Sequence, residues 1–175
     1  MTTAIMPPRR DEAAAYYFSY IDRVPPGDVR TILVRQHTDV LRLFEEIPEA
    51  KGRHRYGPGK WSVSEVVSHL SDTERVLAFR ALWFARGFES PLPSFEQELA
   101  VQYANADTLS LRHHVDEFGS VRAATVNLFR HLPEEAWERQ GIASDHPFTV
   151  RALAFIIAGH VVHHVAILRE RYGVA

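Results

Sequence analysis

Leu153 to Leu168 is an apolar stretch interrupted by three imidazoles, His160, His163 and His164, immediately after Gly159. An apolar helix interior does not normally hold several polar rings, because each buried ring nitrogen needs a partner. The segment must therefore be buried against other elements, and something must satisfy its nitrogens. A divalent metal is the partner that best accounts for the cluster. Cysteine is absent from the chain. That excludes disulfides, thiolate ligands and a cysteine nucleophile, so any metal is held by His, Asp, Glu or water.

The remaining chain offers three more helical stretches to bury this one against. The first is predicted from Asp28, as N-cap, to Ile47, with an apolar stripe of Ile32, Leu33, Val40, Leu43, Phe44 and Ile47. The second opens on a capping box, Ser62 with Glu65, preceded by Trp61 as an apolar staple, and runs to Arg86 before Gly87. The third spans about 109–131 and stops at Pro133. The fourth starts at Thr149 and ends before Gly173. Residues 88–107 read as a long crossover with a short helix near Glu96–Tyr103. Residues 134–147 read as a connection that turns near Gly141 and Pro147. The expected fold is all-α, a four-helix bundle of residues 28–175 with a long crossover and an N-terminal arm, residues 1–27. Pro7, Pro8, Pro25 and Pro26 punctuate the arm, and Tyr16, Tyr17, Phe18 and Tyr20 are expected to anchor it.

Bulk properties narrow the function. With 46% hydrophobic residues the chain builds a sizeable core. A net charge of −2 without a basic stripe gives nucleic acid no electrostatic footprint. No run of 18 apolar residues occurs, so no membrane span is expected. The polar first ten residues lack the apolar core of a signal peptide, which makes the cytoplasm the expected location.

Helical phasing decides which histidines point inward. With His160 at zero, His164 lies at about 40°, among Leu153, Ile157 and Ile167, while Arg151 and Arg169 fall near 180°. His163 sits on the shoulder at about 300°. On the second helix His69 shares a face with Val66, Thr73, Val76 and Leu77, with Asp72 on its flank and Glu74 about 140° away. A pair of histidines one turn apart on a single face is the device of helical zinc sites. His69, His160 and His164 are thus the predicted ligands of one Zn²⁺, Ni²⁺ or Fe²⁺ ion with open positions. Asp72 is a candidate to reach the rim of the site or orient a ligand. His37 lies in the first helix's stripe and is a candidate substrate contact. The other histidines, the adjacent pair His113 and His114 included, are expected at the surface.

Two motifs resemble the DinB/YfiT-like superfamily of metal-binding four-helix proteins. One is Trp61, Ser62, Glu65, His69 and Asp72, similar to the family's W-S/T-x-x-E/Q-x-x-x-H-x-x-D stretch. The other is His160, His163 and His164, similar to its C-terminal H-x-x-H-H. The resemblance implies His69, His160 and His164 as ligands, in agreement with the phasing. Arg80 resembles a recurrent arginine of the family, placed either to receive an anionic group or to tie the bundle together. Some members are transferases or isomerases dependent on small thiols, and others are described as metal-dependent hydrolases; dimers are common. The resemblance therefore implies a small-molecule substrate, with a low-molecular-weight thiol as one candidate; a non-enzymatic, metal-stabilised binding protein is the alternative to an enzyme. The carboxylates open to a hydrolase as general base are Asp72, Glu74, Glu96 and Glu98.

Overall fold

The structure, a computed structural model, describes residues 3–174. Residues 3–27 fold back on the body, ending in a 3₁₀ turn at Ala15–Tyr17 and the one-turn helix α1, Phe18–Ile21. The bundle helices are α2 (Val29–Glu45), α3 (Val63–Ala85), α5 (Leu111–Arg130) and α6 (Val150–Tyr172). The short α4, Gln97–Ala104, lies in the crossover. The predicted caps form. Asp28 accepts a hydrogen bond from the Arg30 amide, Ser62 and Glu65 close a capping box, and Thr149 accepts from the Ala152 amide. Gly173 ends α6 in the left-handed conformation, at φ 64°. Those contacts satisfy N–H groups that a helix end leaves free, so the ends are locally encoded.

The helices do not neighbour one another in chain order. α3 packs on α5 and α6, and α2 packs on the same two helices, so α2 and α3 stand diagonally opposite. The diagonal steps are α2 to α3 and α5 to α6, and each needs a long connection, hence the loop before α3 and the segment 131–149 before α6. α6 is long and apolar enough to cross a membrane, with a mean hydropathy of 1.6, but it is mostly buried within the protein. A helix enclosed by α2, α3 and the arm must be apolar on nearly all sides.

Residues 134–147 depart from the expected plain connection. A 3₁₀ turn at Glu134–Glu138 leads into an antiparallel hairpin, β1 (Gln140–Ala143) and β2 (His146–Thr149). Ser144 and Asp145 form its two-residue turn, both at positive φ. Such turns favour glycine, Asn-Gly or Asp-Gly, so a Ser-Asp pair carries a weak signal. The hairpin is held by the crossover, where the Ser144 amide donates to the Leu92 carbonyl at 3.1 Å.

The core divides along the bundle axis. One apolar cluster joins Phe18, Ile21, Leu33, Phe84, Phe129 and Phe155 at the arm end. The other joins Phe44, Val67, Leu70, Phe118, Leu168 and Tyr172. Between them lies a polar belt. The Arg122 guanidinium, wholly buried, meets the buried Glu74 carboxylate through two hydrogen bonds of 2.7 Å. Its Nη1 donates to Gln36 Oε1 at 2.9 Å, and Gln36 Nε2 donates to the Ala158 carbonyl at 2.9 Å. The belt thus ties all four helices together two residues before His160. Phasing had turned Glu74 away from the buried face. It is buried because α3 is covered by α5 on one side and α6 on the other, which widens its inward arc beyond a single stripe.

Candidate metal centre

α3 and α6 bring three imidazoles to one point. His160 Nε2 lies 3.1 Å from His69 Nε2 and 3.1 Å from His164 Nε2. All three residues are buried, at 2, 5 and 8% exposure for His69, His160 and His164. One ring nitrogen from each lies within 4.8 Å of the other two. His160 and His164 meet because they are one turn apart on α6. His69 is presented from the facing helix, with its ring covered by Trp61 at 4.8 Å.

Burial removes the charge from this cluster. The His69 imidazole is pushed down to about 4 by loss of solvation. Burial, with the neighbouring His69 and His163 rings, takes His164 to about 3. Burial also holds His160 well below the usual histidine range, helped by the surrounding imidazoles and the Arg122 charge. All three are neutral at pH 7, each with one N–H and one lone pair.

Protons alone satisfy such a cluster poorly. A single hydrogen on His160 Nε2 points well at one neighbour, not at both. A divalent ion accepts three lone pairs at once. Nitrogens at about 2.05 Å from one ion are separated by about 2.9 Å at right angles and about 3.3 Å at the tetrahedral angle. The observed 3.1 Å falls between these values. Thr73 Oγ1 lies 3.3 Å from His69 Nδ1 and can hold the tautomer that turns the Nε2 lone pair inward. His164 Nδ1 has no partner among the described residues. The donor set therefore fits a divalent cation.

Two cavities open on the cluster from different sides. The first, 230 Å³, is bounded by Tyr16, Tyr17 and Tyr20 of the arm, Thr73 and Arg80 of α3, and His160. The second, 250 Å³, is bounded by Tyr56, Lys60, Trp61, Glu98, His164 and Tyr172. Gly159 makes the arm's approach possible. A Cβ there would stand 2.1 Å from the Tyr20 carbonyl oxygen, so α1 rests directly on the α6 backbone. The Tyr20 ring consequently stands edge-on to both His160 and His163, at 5.4 and 5.3 Å.

The other candidates lie elsewhere. Asp72 pairs with Arg75 at 3.2 Å, its side chain 36% exposed, and lines neither cavity. Glu74 is committed to Arg122, and the exposed Glu96 borders neither cavity. Glu98 is the carboxylate bordering the His164 side. His37 is half-buried and borders neither cavity. His163 is half-buried beside the cluster. His114 is not at the surface as expected. It is buried, and its Nε2 lies 2.9 Å from the Ala106 carbonyl, a structural contact that holds the end of the crossover. Arg122, in line with Phe118, Val126 and Phe129, was legible as a cation inside an apolar stripe.

Solved structures with the same fold carry related descriptions. YfiT from Bacillus subtilis, described as a probable metal-dependent hydrolase with an unusual four-helix bundle topology, superposes with a TM-score of 0.69. It is 17% identical, and the match covers 96% of this chain and 94% of that one. A mycothiol-dependent maleylpyruvate isomerase matches with a TM-score of 0.65 at 17% identity, over 78% of this chain and 58% of its own. Among curated proteins none matches in sequence. The sequence pattern of the DinB superfamily matches residues 32–168, from α2 to the last turns of α6, and both motifs fall inside it. The chain belongs to the DinB superfamily.

Proposed function

We propose that this protein is a metal-dependent enzyme that uses a small thiol as cosubstrate, with His69, His160 and His164 holding Zn²⁺, Ni²⁺ or Fe²⁺. The observation that carries the metal is the convergence of three neutral Nε2 atoms, with two spacings of 3.1 Å. A divalent ion bound there would supply Lewis acidity, lowering the pKa of a thiol or water in its open positions. Thr73, accepting from His69 Nδ1–H, would hold the tautomer that directs Nε2 at the ion, and Trp61 and Tyr20 pack against the rings. The two cavities support a reaction with two small molecules, one reaching the cluster beside His160 and the other beside His164. The thiol, not the chain, would supply the nucleophile, since the chain has no cysteine. Cytoplasmic low-molecular-weight thiols are kept reduced and would be available to it.

Two measurements test this. Elemental analysis of untagged protein should find one divalent ion per chain, lost in His164→Ala. The metal-loaded protein, incubated with a panel of small thiols and monochlorobimane, should conjugate at least one thiol faster than buffer. No rate with any thiol overturns the thiol-dependent reading. A hydrolase is the second reading, and Glu98 favours it as the carboxylate bordering the His164 cavity. Thiol-independent ester or amide cleavage lost in Glu98→Gln would establish that reading instead.

A further inference from the structure

Arg80 is buried in the first cavity without a counter-ion. It is 4% exposed and forms no ion pair among the described residues. Its Nη2 donates to the Pro93 carbonyl at 2.7 Å and to Ser144 Oγ at 3.1 Å, which ties the crossover to the hairpin turn. A guanidinium has five N–H donors, so the three on Nε and Nη1 are unused by these contacts. The Tyr17 side chain, on the same cavity wall, is a further hydrogen-bond partner of the guanidinium, and no carboxylate pairs with it among the described residues. Asp28 raises the pKa of Arg30 and Glu65 that of Arg55, whereas burial lowers that of Arg80.

The cavity is built to match. Among the described residues Arg80 is the one Lys or Arg on its wall, and no carboxylate borders it. Ser144 Oγ accepts from Arg80 and keeps its own hydrogen free to donate. Tyr16 and Tyr20, joined through their hydroxyls at 3.0 Å, add polar tips to a wall that is otherwise apolar at Val76, Leu77 and Ile156. Arg80 and His69 are eleven residues apart on α3, about 16 Å along the axis. Arginine side chains lean toward the helix N-terminus, here toward His69, which shortens that gap.

We infer that this cavity is a carboxylate-recognition subsite, in which Arg80 and Ser144 take the anionic end of an elongated substrate whose reacting atom lies at the His160 end. An anion there supplies the charge that the buried guanidinium lacks, and a planar carboxylate can accept two parallel N–H bonds from it. The substrate is thus a small carboxylic acid with an apolar middle, carrying its charge away from its reacting atom. The location of the reacting atom rests on the reading of the histidine cluster as the reaction centre; the anion subsite does not.

The test compares hexanoate with hexanamide by ligand-observed NMR on the full chain as purified. Hexanoate should bind at least tenfold more tightly. Arg80→Gln should abolish that preference while leaving metal content unchanged, and Arg80→Lys should retain part of it. Ser144→Ala, which leaves the guanidinium in place, should weaken hexanoate about threefold and serves if Arg80→Gln fails to fold. Absence of hexanoate binding, equal binding of acid and amide, or unchanged binding in the folded variants overturns the inference. Thiol turnover with Arg80-independent hexanoate binding would refute the subsite alone. Arg80-dependent binding without thiol turnover would refute only the thiol reading.

Discussion

Replacing Glu74 with alanine leaves the guanidinium of Arg122 buried without its anion, and we expect a loss of about 3–5 kcal/mol. The magnitude follows from the setting. Arg122 is 0% exposed and Glu74 2%, and two hydrogen bonds of 2.7 Å join them. The Gln36 amide oxygen, at 2.9 Å from Nη1, cannot replace a carboxylate. Such a loss lowers the melting temperature of a domain this size by roughly 10 °C. Truncating the pair together, as Glu74→Leu with Arg122→Met, removes both charges and fills the space with apolar atoms. That double variant should lie within about 1 kcal/mol of wild type or above it. Urea denaturation of wild type, Glu74→Leu, Arg122→Met and the double variant gives the coupling energy directly. A loss below 1 kcal/mol in Glu74→Ala would refute the reasoning. So would a double variant as damaged as the sum of its parts, because the cost would then lie in packing and not in the orphaned charge.

Three further outcomes are expected. Gly159→Ala drives a methyl group into the Tyr20 carbonyl; α1 should lift from α6, costing about 1–3 kcal/mol, and limited proteolysis should cut residues 3–27 faster, whereas an unchanged digestion pattern would show that the arm adapts. Chelation of a bound ion should lower the melting temperature without unfolding the chain, since binding at a thousandfold excess over Kd adds about 4 kcal/mol while both apolar clusters stay buried; complete unfolding on chelation contradicts this. In the metal-free chain, burial depresses the His69 and His164 pKa values to about 4 and about 3, against about 6.5 when unfolded. Below pH 6.5 the unfolded chain binds protons that the folded chain refuses, so stability falls from about pH 6.5 down to about pH 3–4 and does not change on this account above it. His69 alone contributes roughly 3 kcal/mol, and a flat urea midpoint across that window after chelation would exclude it.

Much of this protein is written locally. The ends of three bundle helices follow from Asp28, Ser62 with Glu65, Thr149 and Gly173, because a cap satisfies backbone groups within its own turn. The inward direction of His69, His160 and His164 follows from helical period alone, and the fourth helix announces its burial through its composition. The absence of cysteine decides the available ligand types without any coordinates. What depends on residues distant in sequence was not legible. The Glu74–Arg122 pair joins positions 48 residues apart, and the widened buried arc of α3 that admits Glu74 exists only because α5 and α6 cover it from two sides. The hairpin at 140–149 lacks the glycine that advertises such a turn and is held by Leu92 from the crossover. Likewise, the 3.1 Å spacings, the tyrosines over His160 and the unpaired Arg80 beside Ser144 arise from the packing of α3, α6, the arm and the hairpin. Sequence period sets the direction of a side chain from its own helix axis; the distance to a group on another element is set only when the elements pack.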